Sequence, residues 1–223
     1  MILRMVVQMA LMLLFMGAVL ILAAGTADWP AAWAFLGELG VLGVAVGLWL
    51  AWRDPALLAE RLRSPLQPDQ PPWDRRFIIG GALGFTAWLA LMGLDAQRLR
   101  LSAVPSFLQG VGVLLILAAV WIGWLTFIAN PWATAVVKVQ PGQGVADTGP
   151  YRFVRHPLYA GAMAFFLGAP LVLGSWLGLA AAPLLIAAIG ARAVREERLL
   201  REAAPGYEDY AARVRYRLVP KVW

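Results

Sequence analysis

The sequence has no cysteine, one histidine and little charge: Asp, Glu, Lys and Arg make up 14% of its 223 residues, against about 25% in soluble globular domains. Without cysteine there are no disulfides, thiolate nucleophiles, iron–sulfur clusters or thiolate-bound zinc. One imidazole plus carboxylates is a poor donor set for a transition metal, so no metal is expected. The net charge of +6 would suit nucleic acid, but basic residues in so apolar a chain are first explained by membrane topology and anionic lipid, and no nucleic-acid partner is expected. What is abundant is apolar surface: 61% of residues are hydrophobic, 11 are tryptophan and mean hydropathy is +0.70. These values describe an integral membrane protein.

Six apolar segments, at 5–25, 33–52, 77–94, 107–129, 157–173 and 177–193, approach the length of about 20 residues that crosses a bilayer core. The fold class expected is all-α, a polytopic membrane helical bundle. The last two segments, separated by GSWLG (174–178), read as a short helical hairpin, followed by a helical C-terminal tail. If all six cross, 17 of the 19 Lys and Arg fall on one side, with only Arg98 and Arg100 opposite. The positive-inside rule makes that side cytoplasmic, with both termini on it. The small residues LAAGTA (22–27) resemble a cleavage site, but the preceding apolar run exceeds the roughly 7–15 residues of a signal peptide, so it reads as a retained span.

Gly40, Gly43 and Gly47, and likewise Gly80, Gly81 and Gly84, give two helices a face of small residues, as close helix packing requires. GVGVLL (110–115) lacks the third glycine of a dinucleotide fingerprint and also reads as packing. Asp54-Pro55 suits a helix start, and SPLQPDQPP after it a stiff linker. Glu38 lies within the second span near its outer end, where its carboxylate can reach toward the interface. The expected organisation is one membrane domain, 1–223, with N-terminal transmembrane helices in 1–129 and a loop, hairpin and tail in 130–223.

Chemistry concentrates in that last part. In YRFVRHPLYAG (151–161) the only histidine, His156, precedes Pro157, a residue suited to the first turn of a helix. Histidine is not a favoured N-cap, so its position needs another reason. Arg192 and Glu196 lie four apart in GARAVREERLLRE (190–202), which extends the sixth segment, and share a helix face; the hairpin brings them to the side where His156 sits.

Gly149-Pro150-Tyr151, then Arg155-His156-Pro157-Leu158-Tyr159-Ala160-Gly161, the hairpin, Arg192 with Glu196-Glu197, and PGYEDYAARVRYRLVP (205–220) together resemble the isoprenylcysteine carboxyl methyltransferase family, related to membrane phospholipid methyltransferases. The similarity covers about residues 125–223. It implies an S-adenosyl-L-methionine site contacted by Gln140, Gln143, Gly144, Val145, Ala146, Tyr151, His156, Pro157, Leu158, Tyr159 and Glu196, with Arg192 toward the substrate. The loop departs from the family in its shorter spacing from Gln140 to Gln143 and in having glutamine at 143, where histidine is frequent. The reaction implied is methyl transfer to a lipid or lipid-modified acceptor, a carboxylate held by Arg192, or a phospholipid amine with Glu197 or His156 as base. Arg192 and Glu197 are the catalytic candidates. Two alternatives stand beside this: an NADPH-dependent sterol or enone reductase, for which Arg152, Arg155 and Arg195 could bind a 2′-phosphate, and a non-catalytic membrane scaffold.

Overall fold

The computed structural model describes residues 1–140 and 142–223. They form eight α-helices: α1 (Ile2–Ala24), α2 (Pro30–Arg53), α3 (Pro55–Arg61), α4 (Pro72–Gly93), α5 (Ser106–Ala129), α6 (Pro157–Leu173), α7 (Trp176–Ala203) and α8 (Tyr207–Arg213). A π-helical turn (Leu94–Arg98) extends α4, and a 3-10 turn (Gly149–Arg152) precedes α6. Among the described residues there is no strand. α1, α2, α4 with its π turn, α5 and α7 are long and apolar enough to cross a membrane, and α6 is a shorter apolar helix of 17 residues.

Proline opens α2, α3, α4 and α6, where its missing N–H costs nothing and its φ is already helical. At α3 the Asp54 carboxylate accepts from the Leu57 N–H at 2.9 Å, the cap that Asp-Pro anticipates. The core joins Leu20 of α1, Phe35 of α2, Trp88 and Met92 of α4, Ile116 of α5, and Ala169 and Leu173 of α6. It draws on both halves of the chain.

The tightest seam is between α5 and α6, which run antiparallel. A Cβ on Gly112 would lie 2.7 Å from the Gly168 carbonyl oxygen, and one on Gly161 would lie 3.0 Å from the Ala119 carbonyl oxygen. Backbones approach this closely only where side chains are absent, so GVGVLL is packing. The face of Gly40, Gly43 and Gly47 meets Leu13, Met9 and Met5 of α1, as expected. The other glycine face differs from expectation: a Cβ on Gly80, Gly81 or Gly84 would meet no atom within 4 Å. No helix of the described residues packs there. Glu38 is half-buried, and its shielded Oε1 has no hydrogen-bond partner among the described residues.

At one end of the bundle, where the basic residues collect, α3 and the linker are tied to the 130–140 loop. Arg61 donates to the Ala133 carbonyl at 2.8 Å, and Lys138 to Glu60 at 2.6 Å and Gln67 at 2.9 Å. Burial alone would raise the Glu60 carboxyl, but hydrogen bonds and charge from Lys138 and Arg63 hold it below its ordinary 4.5. At the opposite end Gly174, at φ +79°, turns the chain from α6 into α7. The Ser175 hydroxyl accepts from the Gly178 N–H there at 2.8 Å. Asp95, 1% exposed, accepts from the Ser102 and Ser175 hydroxyls and the Leu177 N–H.

Candidate functional site

After α5 the chain crosses the basic end as a loop, tightens into the 3-10 turn and enters α6 through His156, the N-cap residue. The tail after α8 returns to this point. The Arg155 and His156 N–H groups donate to the Tyr216 and Arg217 carbonyls, both at 2.9 Å. This pairing buries the His156 ring, leaving its side chain 6% exposed, so it is not a solvated interfacial histidine. The ring stacks on Tyr159, with centroids 5.4 Å apart and planes 6° apart. Its Nε2 lies 3.3 Å from Glu197 Oε1 and its Nδ1 lies 4.0 Å from Glu196 Oε2.

Glu196 and Glu197 therefore flank one imidazole from neighbouring positions on α7, yet their surroundings differ. Glu196 opens to a cleft and accepts from the Tyr159 hydroxyl through Oε2 at 2.6 Å. Glu197 is fully buried. Its oxygens meet Arg155 at 2.7 and 3.2 Å, Arg217 at 3.1 Å and Arg201 at 3.5 Å, besides His156. Glu197 does not line the cleft. A carboxylate held by three guanidinium groups and facing away from the cleft is in the wrong place for a general base, which must reach the proton it removes. Arg155 makes its remaining bonds to the Val214 and Arg215 carbonyls, which takes it from the set available to a nucleotide phosphate.

Arg192 lines the cleft, but its ion partner is Asp74 rather than Glu196. Its Nε donates to Asp74 Oδ1 at 2.8 Å, and its Nη2 approaches Oδ2 at 3.3 Å and donates to the Ala135 carbonyl at 3.0 Å. The same Asp74, fully buried in the first turn of α4, accepts from Gln70 at 2.6 Å and from the Val137 N–H at 2.9 Å. One side chain thus joins α4, the linker, the loop and α7. The Arg192 guanidinium also sits over the rings of Phe77 and Tyr159, at 5.2 and 5.6 Å, which leaves little freedom in its orientation.

The loop residues Gln143, Gly144, Val145 and Ala146 line the same cleft, as do Tyr151, His156, Pro157, Leu158 and Tyr159. Gln140 does not reach it; its N–H donates to the Gln143 side-chain oxygen at 2.9 Å. Asn130, Tyr207 and Tyr210, which no sequence signal marks as site residues, also face the cleft. Asn130 donates to the Tyr151 hydroxyl at 2.8 Å, and Tyr210 donates to the Tyr151 carbonyl at 2.9 Å. Burial pushes the Tyr151 hydroxyl up to about 12, so it stays a neutral donor at neutral pH. The Tyr207 hydroxyl is buried and has no hydrogen-bond partner among the described residues.

The cleft thus joins one unsaturated carboxylate, a fixed guanidinium, several aromatic rings and a glycine-containing loop, at one end of an apolar bundle. The stretch that carries most of them, residues 108–203, matches the family model described as phospholipid methyltransferase. This segment is a phospholipid methyltransferase family domain. The family sits in the same group of membrane methyltransferases as the isoprenylcysteine carboxyl methyltransferases. The domain starts near the beginning of α5, earlier than the residues that carried the resemblance, and ends with α7, before the tail. It supports a multi-pass membrane methyltransferase acting on lipid. The chain has no match among curated proteins.

Proposed function

We propose that the chain transfers a methyl group from S-adenosyl-L-methionine to a lipid or lipid-modified acceptor, with a carboxylate as the group methylated. The observation that carries the reading is the cleft itself: Glu196, Tyr159, His156 and the loop converge there with Arg192 opposite, at the head of the domain's hairpin.

The residues suit the methyl donor. Its ammonium and ribose groups need acceptors and its base needs an aromatic surface; among the described residues Glu196 Oε1 has no hydrogen-bond partner, and Tyr151, Tyr207 and Tyr210 line the wall. The unpartnered Tyr207 hydroxyl is the kind of buried group that a bound ligand satisfies. Glu196, His156, Pro157, Leu158, Tyr159, Tyr151 and Gln143 to Ala146 would hold it, and Gln140 supports Gln143 from behind. Bound there, S-adenosyl-L-methionine supplies a methyl on a sulfonium, whose C–S bond breaks as the acceptor oxygen bonds to that carbon.

The protein's own share is alignment, electrostatics and exclusion of water. Nη1 of Arg192 carries no intramolecular hydrogen bond among the described residues, so it can fix an acceptor carboxylate by a charge-assisted pair. Such an acceptor is ionised near neutral pH and needs no base, which agrees with Glu197 being sealed behind the cleft. An amine acceptor is the second reading. The observation that favours it is the prior neutralisation of Arg192 by Asp74, which leaves Glu196 as the cleft's free acid. Residues 130–223 then form the cofactor-binding loop, hairpin and tail of one membrane domain, with 1–129 as its N-terminal helices. The charge distribution supports a cytoplasmic location for this end and both termini.

The test is methyl transfer from labelled S-adenosyl-L-methionine to membrane lipid extracts, followed by alkaline hydrolysis of the product. Label released as methanol marks an ester and supports the carboxylate reading; label retained on the lipid marks an N-methyl product. No donor binding by folded protein in calorimetry would overturn both.

A further inference from the structure

Beside the cleft, α4 and α7 form a second groove lined by Trp73, Arg76, Arg195, Arg198, Leu199 and Glu202. Arg195, Arg198 and Glu202 follow one face of α7, and Arg76 faces them from the first turns of α4. Among the described residues none of the three arginines has a carboxylate within salt-bridge distance, in contrast to Arg155, Arg192, Arg201 and Arg217 nearby. Arg76 makes one long bond, at 3.4 Å, to a carbonyl in its own helix. The Arg195 guanidinium lies 5.8 Å from the Trp73 ring, an amphipathic residue suited to the membrane interface. Topology explains why arginines occur at this end of the bundle. It does not by itself explain why three unpaired arginines line one groove whose single acid, Glu202, pairs with none of them among the described residues.

The surface below the groove supplies a second observation. Trp73, Phe77, Gly80 and Gly84 fall within one stripe of α4 at spacings of four, three and four. Gly80 and Gly84 thus lie on the groove's side of α4, and a Cβ at either would meet no described atom within 4 Å, which leaves a low, open apolar surface below the groove. Exposed Ile79 and Leu83 flank it. A cluster of guanidinium groups above an apolar surface matches a phosphate on an acyl chain, because guanidinium groups pair bidentately with phosphate oxygens.

We propose that this groove binds the phosphate headgroup of an anionic membrane phospholipid, held by Arg76, Arg195 and Arg198, with an acyl chain lying along the Gly80–Gly84 face of α4. Leu199 lines both this groove and the methyl-transfer cleft, so the bound lipid stands one side chain away from the reaction site. The proposal does not depend on which acceptor is methylated.

The test is equilibrium binding of fluorescent phosphatidylglycerol to the full-length protein in detergent, with fluorescent phosphatidylcholine and inorganic phosphate as the other arms. Arg195→Gln with Arg198→Gln should weaken phosphatidylglycerol binding by about tenfold. Arg152→Gln with Arg215→Gln, which removes equal charge from exposed arginines elsewhere, should leave it unchanged. Gly80→Leu, placed in open space, should weaken it about threefold by covering that surface. S-adenosylhomocysteine binding, measured on the same samples, should stay constant in all variants, which separates this site from the proposed methyl-donor site. Equal losses in both arginine pairs would reduce the effect to general charge and overturn the proposal. Displacement by inorganic phosphate at the lipid's own concentration would replace the lipid with a free anion and overturn it too.

Discussion

Two buried aspartates mark the two ends of the α4 segment, and their hydrogen bonding differs: Asp74 uses both oxygens, whereas Asp95 is bonded through Oδ2, its buried Oδ1 having no partner among the described residues. Asp74, at the basic end, is paired with a cation, Arg192, and with Gln70 and the Val137 N–H. Asp95, at the other end, has no cation within salt-bridge distance among the described residues; it uses two hydroxyls and an N–H at the start of α7, where the helix dipole favours negative charge. The Asp95 arrangement closes a hairpin. The Asp74 arrangement also closes a junction, but it presents the far side of its cation to a cleft. The end built from ion pairs is the one with charge available for chemistry.

Substitutions can break this contrast, and the largest effects belong to the basic end. Glu197→Ala would strand Arg155, whose side chain is 5% exposed, and Asp74→Ala would strand Arg192; each should cost about 3–5 kcal/mol, the usual penalty for leaving a buried charge unpaired. Thermal unfolding in detergent checks this, and variants as stable as wild type would contradict it. Asp95→Ala leaves neutral donors instead and should cost about 1–3 kcal/mol, with no change in donor affinity by calorimetry.

Glu196→Gln sharpens the functional side. Its carboxylate has one hydrogen bond among the described residues, so stability should hold while affinity for S-adenosylhomocysteine falls about tenfold. The smallest effect is at Glu60, whose carboxyl is held below 4.5 in the fold. Its contribution is present above that value and is lost as pH falls through the lower folded value. Glu60→Gln should therefore cost at most about 1 kcal/mol at neutral pH and nothing in strong acid. An equal deficit across the whole pH range would assign the loss to packing instead.

The sequence made some parts of this arrangement readable and hid others. Pro157 and Gly174 bound α6 where the pattern placed them, because proline and glycine act through their own backbone restrictions. The α1–α2 glycine face was legible by spacing alone, but the same spacing at Gly80 to Gly84 failed, since periodicity defines a face without saying what covers it. Arg192 illustrates the same limit: an acid four residues away on its helix was visible, while the acid it binds lies 118 positions back in the chain. Asp74 did leave a trace, an acid in the first turn of a span beside Gln70, though nothing local distinguished it from an ordinary helix-start residue. Glu197 was misplaced for a related reason. Adjacent helix positions are about 100° apart, so Glu196 and Glu197 cannot share surroundings, and only the tail, packed behind α7, determines which of them reaches the cleft.

That tail bears on how the site is made. Arg155 and His156 receive their backbone partners from Tyr216 and Arg217, and Glu197 is neutralised in part by Arg217. During synthesis the hairpin is complete by Ala203, yet the wall holding the imidazole cannot close until residue 217 has emerged. The wall of the cleft that holds the imidazole thus depends on residues that follow every membrane-length helix in the chain.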